Sequence, residues 1–465
     1  MPRLQDRETS NSEGIHAQDI EEHASDHLGN RHGEIHNKRL WTLAGSALVQ
    51  LPIWGFAMSF GVFQEYFNTN WGSVGIKGDQ SRTGLVGMFQ NGVMYLSMPL
   101  LFALFTKRYA RWRRAAALCG AGLACISFTL SSFSTVVWQL ILTQGVMAAF
   151  GCTLMFSPMT LSLGECYSTG NRALAYGITL SCKNIVGSVC PFLFRQLIDH
   201  YGFRVALRAW AAIGAGTSTL AILLVPTYPP FLSTNESRQR RIPWQFLKHK
   251  TFHIYSLAII LQSAGYGIPQ TYLSEFAREV ALLSQTSATL LLTLFNIPGI
   301  ASSSFFGYLS DNKHIKLSAN TVTSVSAFSS ALSAFLLWGL TSRGDLALLL
   351  VFSMTFGFFA GGYSATWGGV LADMEREAAQ RNEAIDTGMV YGLFNGARGV
   401  GYVVGGLASV SLLEAGSTNS VAKFAYDSSY GPLIIFSGLC SLFGGWGVLW
   451  RWDKLESWLK GINRP

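Results

Sequence analysis

The 465-residue chain predicts an all-α membrane protein of about twelve helices in two bundles of six, and three observations carry that expectation. Charged residues make up only 13% of it while 49% are hydrophobic, where a soluble globular domain carries about 25% charge. Mean hydropathy is +0.29. So few charges cannot cover a water-facing surface of this size, and lipid is the expected solvent. Apolar runs of about 20 residues, the length that crosses a hydrocarbon core about 30 Å thick, recur along the chain. Finally, segments about 205 residues apart echo one another, as two related halves require.

Residues 1–40 are polar, with His16, His23, His27, His32 and His36 spread among acids and amides. No apolar core follows from such a segment, so it reads as a disordered cytoplasmic tail. The histidines fit no tight ligand set, and no metal or cofactor is expected. The spans are expected at 41–63, 84–105, 115–134, 137–161, 173–197, 205–226, 252–276, 286–309, 317–341, 346–371, 387–412 and 431–451. Residues 41–226 then form the first bundle, 227–251 a linker rich in Pro, Ser and Arg, 252–451 the second bundle, and 452–465 a tail.

Basic residues set the orientation, because Lys and Arg beside short loops stay on the cytoplasmic side. With the N-terminus inside, 24 fall in the inner segments and tails against six (Lys77, Arg82, Arg204, Arg278, Arg343, Lys423) in the outer loops. Both termini are expected in the cytoplasm, in a multi-pass protein of the plasma membrane. The formal charge of +8 therefore marks loops rather than a nucleic-acid face. All seven cysteines lie in or beside apolar runs, which argues against a disulfide framework.

The internal repeat pairs span one with seven and span five with eleven. Phe60-Gly61-Val62-Phe63-Gln64-Glu65-Tyr66-Phe67 matches Tyr266-Gly267-Ile268-Pro269-Gln270-Thr271-Tyr272-Leu273 in Gly, Gln and Tyr. Asn171-Arg172-Ala173-Leu174-Ala175-Tyr176-Gly177 matches Asn382-Glu383-Ala384-Ile385-Asp386-Thr387-Gly388. After span eight, Gly307-Tyr308-Leu309-Ser310-Asp311-Asn312-Lys313 resembles the Gly-x-Leu-x-Asp-x-basic loop of the major facilitator superfamily. Entering span five, Tyr167 to Ile178 is similar to a monocarboxylate-transporter pattern, and the chain resembles the fungal proteins of that kind over nearly all of 40–452.

The resemblance implies the major facilitator fold, a path lined by spans one, four, seven and ten, and gating by Asp311, Lys313 and Arg172. The turn after span two keeps basic residues but lacks the Gly and Asp, and span one lacks the acidic-Gly-Trp motif of the animal members. Proton-linked lactate movement is therefore not carried over.

Ionisable residues at mid-depth cost from about 2.5 kcal/mol upward, which makes them functional candidates. Lys183 in span five and Arg398 in span eleven each lie about 11 residues, roughly 16 Å, from the inner end. Facing a central cavity they would attract an anionic or polar solute, Arg398 as a bidentate fork and Lys183 as a point charge. The alternative is a structural role, with each bonded to helix carbonyls or to neighbours such as Asn184 and Asn395. Gln64, Tyr66, Gln270, Tyr272, Asn296 and Trp367 join the cations as expected cavity residues, together with Trp54, Phe56, Phe60, Gln262, Tyr266 and Tyr363. Glu65 is the one coupling candidate, equally readable as an exposed loop acid, and whether a proton is coupled stays open.

Metalloprotease, Gly-x-Ser-x-Gly and phosphate-loop patterns are absent, so neither an enzyme nor an ATP-driven pump is expected. The expected function is secondary transport of a small organic solute by alternating access, with efflux of a secondary metabolite preferred. Uptake of a monocarboxylate-like nutrient and a non-transporting sensor are the alternatives. The sequon Asn235-Glu236-Ser237 lies in the inner linker, so Asn235 should stay unmodified in a glycosylating host; a mobility shift on endoglycosidase treatment would reverse the orientation.

Overall fold

The computed structural model describes residues 37–106, 109–167, 172–226, 244–311, 318–416 and 424–447. Among these the chain is helical throughout, and the sole bridge pairs Lys77 with Val136 between two loops. Nine helices of the described residues are long and apolar enough to cross a membrane. One of these, Ala175–Leu224, has 50 residues, which would run about 75 Å if straight. It turns back instead at Gly202, where φ is +78° and ψ 164°, a conformation that glycine adopts without strain. The Phe194 and Trp210 rings then meet at 4.8 Å, so spans five and six are its two legs.

Lys250–Glu279 supplies span seven and Gly431–Phe443 the described part of span twelve. With the remaining eight, Gln50–Val74, Leu85–Thr106, Arg113–Ser131, Val137–Cys166, Gln285–Asp311, Ala319–Trp338, Leu346–Gln380 and Thr387–Glu414, the expected order of spans is filled. Residues 1–36 of the N-terminal tail, the C-terminal tail, the linker up to residue 243 and Lys313 lie outside the described residues, while 37–40 are helical. Below, the ends are called inner and outer after the charge distribution.

Prolines sit inside spans two, four, five, seven and eight at Pro99, Pro158, Pro191, Pro269 and Pro298. Each removes one helix hydrogen bond, which a bundle tolerates because neighbouring helices re-satisfy the carbonyl. Outside the spans, Asp79 starts the short turn Gln80–Gly84 by accepting from Ser81 N at 3.0 Å and Ser81 Oγ at 2.7 Å. Those bonds hold its carboxyl below the usual range.

The seam between the first six and last six spans is pseudo-symmetric. Span two packs on span eleven, and span five on span eight; exchanging the halves turns one pair into the other. Small residues make these contacts possible, since in lipid it is close packing rather than hydrophobic burial that holds helices together. At Gly399 a Cβ would stand 2.4 Å from Leu96 N and 2.6 Å from Gly92 O. Both obstacles are backbone, so no rotamer change relieves the clash. We predict that Gly399→Val lowers the melting temperature of the purified protein, by overpacking worth about 1–3 kcal/mol. Gly177→Ala, at a site with nothing within 4 Å, should change it little; equal melting of the two variants would contradict this seam.

Candidate functional site

Lys183 and Arg398 come together on one cleft, lined also by Asn184, Tyr266, Asn296, Ser303 and Ser364. It runs from the level of the two cations toward the inner end. Repeat-mate positions have thus become two walls of a single site.

Between the cations stands Tyr95 of span two. The Lys183 ammonium donates to Tyr95 Oη at 3.3 Å and lies 4.0 Å over the Trp54 ring. Arg398, 8% exposed, places its guanidinium carbon 4.8 Å over Tyr95, 5.6 Å over Tyr266 and 6.0 Å over Tyr402. Tyr95 and Tyr402 are stacked, with centroids 5.8 Å apart and planes 19° apart. Among the described residues neither cation has a carboxylate within salt-bridge distance, and Arg398 Nε has no hydrogen-bond partner.

Magnitudes show what this leaves. A Lys or Arg at the bilayer centre costs about 2.5–3.5 kcal/mol on the insertion scale, and a desolvated cation–π contact returns about 2. The rings thus offset most of the cost without neutralising the charge. What remains on the cleft is two basic side chains and an unused donor. Neither expected structural partner takes a cation: Asn184 lies against Gly299, and Asn395 donates to Tyr391 O at 2.9 Å.

Other expected cavity residues divide. Asn296 lines the cleft, its Nδ2 donating to Gly187 O at 3.1 Å across the seam and to Leu292 O at 2.9 Å. Gln270 lies one contact away, donating to Ala57 O at 3.2 Å and accepting from Tyr402 Oη at 3.4 Å. Gln64 turns outward and accepts from Thr83 at 2.9 Å. Tyr66 packs against Phe67 and Phe203 at the outer end. Tyr272 is buried with its hydroxyl 3.0 Å from Ser409. Trp367 packs between Tyr391 and Phe394, and Tyr363 donates to Gly444 O at 2.9 Å.

Tyr66, Tyr272 and Trp367 thus lie in packing clusters off the cleft in this structure. For the gating set, Arg172 and Asp311 lie on described backbone, but their side chains, like Lys313, lie outside the description.

The exposed-loop reading of Glu65 is corrected, since Glu65 is 2% exposed. It forms an ion pair with Arg195 of span five, itself 5% exposed, and a second with Arg278 of span seven at 3.4 Å. Arg195 Nε also donates to Thr289 of span eight at 3.2 Å. Gln285 donates to Asp199 at 3.0 Å, and Asn68 donates to Glu279. These contacts join the first six spans to the last six and close the outer end.

Sequence reasoning missed Arg195, although it lies inside the expected run 173–197, and it missed Tyr95 and Tyr402. Tyr402 had a signal, one helical turn after Arg398 on the same face. Tyr95 had none.

Arg195→Ala would leave buried Glu65 with Arg278 alone. The expected cost is about 3–5 kcal/mol, the range for a stranded buried charge, read by denaturation of the purified protein. Combining Arg195→Gln with Glu65→Gln should recover most of it, and a double variant as unstable as the single one would dissolve the pairing.

Comparison with known proteins gives the family and the fold. The profile described as Major Facilitator Superfamily matches residues 42–406. An MFS-type transporter of Gibberella zeae is 28% identical over 57% of this chain and 57% of its own length. Monocarboxylate transporter 13 of Rattus norvegicus is 28% identical over 58% of this chain and 61% of its own. The aspyridones efflux protein of Emericella nidulans is 27% identical over 70% and 63%. The chain thus matches less than two thirds of the length of each of these relatives. The crystal structure of the nucleoside transporter NupG superposes with a TM-score of 0.63 at 15% identity, over 89% of this chain and 98% of that one, a likeness of fold.

Proposed function

Because the chain belongs to the major facilitator superfamily, a family of membrane transporters and not of enzymes, we propose that it is a secondary transporter that moves a small organic anion with apolar or aromatic bulk by alternating access. The observation that carries this reading is the Lys183–Tyr95–Arg398 arrangement, two cations without carboxylate partners among the described residues and one unused guanidinium donor on a single cleft. A carboxylate would take Arg398 bidentately and Lys183 as a second charge. Trp54, Tyr95, Tyr266 and Tyr402 would stack on its apolar part, while Asn184, Asn296, Ser303 and Ser364 offer hydrogen bonds to further oxygens. Neutral solutes leave both charges unanswered.

Closure at the outer end with a cleft toward the inner end corresponds to one of the two states that alternating access needs. The basic residues support an inner end in the cytoplasm, and the plasma membrane is the location this reading takes. Efflux of a secondary metabolite is the preferred direction: an efflux protein stands among the relatives, and an aromatic-walled cleft suits a larger solute than lactate. Uptake of a monocarboxylate-like nutrient is favoured by the other relative. A sensor would bind its ligand at the same cleft without flux.

In reconstituted vesicles, Lys183→Gln and Arg398→Gln should each raise KM for the transported acid about 10–100-fold, the loss of one charge-assisted contact. Arg398→Lys should restore only part, because the planar fork is lost. Unchanged uptake kinetics in the double neutral variant would sink the site, and saturable binding without flux would favour the sensor.

A further inference from the structure

Two acids among the described residues are fully buried, Glu65 and Glu275. Their surroundings differ completely. Glu65 is held by two arginines. Glu275, on span seven just beneath the outer surface, is 5% exposed, has no basic partner within salt-bridge distance, and leaves its Oε2 without any hydrogen-bond partner.

The groups that face it come from each neighbouring element. Span one brings Gln64 and Glu65, span seven itself Tyr272 and the exposed Glu279, and the start of span twelve Tyr430. Arg278, three residues on in span seven, is directed to Glu65 and to Leu283 O. Glu279 is engaged by Asn68 and by Tyr430 Oη at 2.6 Å. No basic side chain among the described residues is thus paired with Glu275.

An ionised carboxylate in such a site forgoes its hydration, gains no counter-charge and is repelled by Glu279, a cost of several kcal/mol. A proton-bound carboxyl avoids all three, and its O–H becomes a donor to the surrounding oxygens. We propose that Glu275 is the proton site of this protein, occupied whenever the outer end is closed: closure takes one proton from the outer solution onto the Glu275 carboxylate, and opening hydrates the group and returns it. Glu65 serves instead as the fixed anion of the seal, because its arginines neutralise it without a proton.

This goes beyond the solute reading and does not rest on it, since outer-end closure can be measured without any solute. The sign follows from linkage. The closed state binds the proton more tightly, so acid favours closure and alkali favours opening, by up to about tenfold per pH unit between the two states' affinities.

Labels at Ser73→Cys and Ser284→Cys, exposed positions on opposite sides of the seam, would report outer-end distance in the full-length protein in liposomes, with native cysteines replaced. Between about pH 5.5 and pH 8.5 the unsubstituted Glu275 protein should shift severalfold toward open, whereas Glu275→Gln should stay closed throughout. Glu65→Gln should open more readily yet keep the pH response. If Glu275→Gln folds poorly, infrared spectra give an independent reading: the carbonyl band of a protonated carboxyl, present at neutral pH with Glu275 intact, should survive Glu279→Gln and vanish in Glu275→Asn. A pH-insensitive outer end, a pH response that persists in Glu275→Gln, or closure that follows sodium replaced by choline would each overturn the proposal.

Discussion

Charge in a hydrocarbon layer has to find a counter-charge, a polarisable surface or a proton, and the arrangement of this molecule follows from how its buried charges meet that constraint. At the outer end Glu65, Arg195 and Arg278 answer one another, and because they come from spans one, five and seven their pairing also closes the two halves. At mid-depth Lys183 and Arg398 have only rings, and Tyr95 serves both. The same physical cost therefore produces a seal in one place and a receptive site in the other. What differs is whether the protein supplies the anion itself.

Closeness between the halves is the condition for both. Lys183 and Arg398 share Tyr95 only because spans two and eleven approach at Gly92 and Gly399, where a side chain would meet backbone. On the opposite side, Gly187 admits Asn296 and Gly299 admits Asn184. These small residues let the two halves approach closely enough for packing to hold the seam.

Much of the fold was readable because its causes are local: the length of apolar runs and the echo between 60–67 and 266–273. Lys183 and Arg398 were readable for the same reason, as charges where none is affordable. What could not be read is whatever depends on rotation about a helix axis or on a partner distant in sequence. Tyr66 and Tyr272 share a motif with Gln64 and Gln270, yet they face packing clusters. Tyr95 looks like any aromatic in an apolar run until span eleven is laid beside it. Glu65 and Glu275 both stand near the outer ends of their spans, and only the positions of Arg195 and Arg278 tell them apart.

One chain of contacts connects cleft and seal without leaving the described residues. Arg398 lies over Tyr402, Tyr402 donates to Gln270, and Gln270 donates to the Ala57 carbonyl of span one. Two turns further along that helix stands Glu65. An anion that draws Arg398 off the Tyr402 ring changes the first of these contacts, and the last crosses between the halves. Span seven carries both Gln270 and, slightly more than one turn on, Glu275. A rotation of span seven that broke the Gln270–Ala57 bond would carry Glu275 with it, because both residues follow Pro269 on one continuous stretch of helix. Solute occupancy and the state of the outer end then act on one rigid element, which is the physical requirement for coupling between two sites.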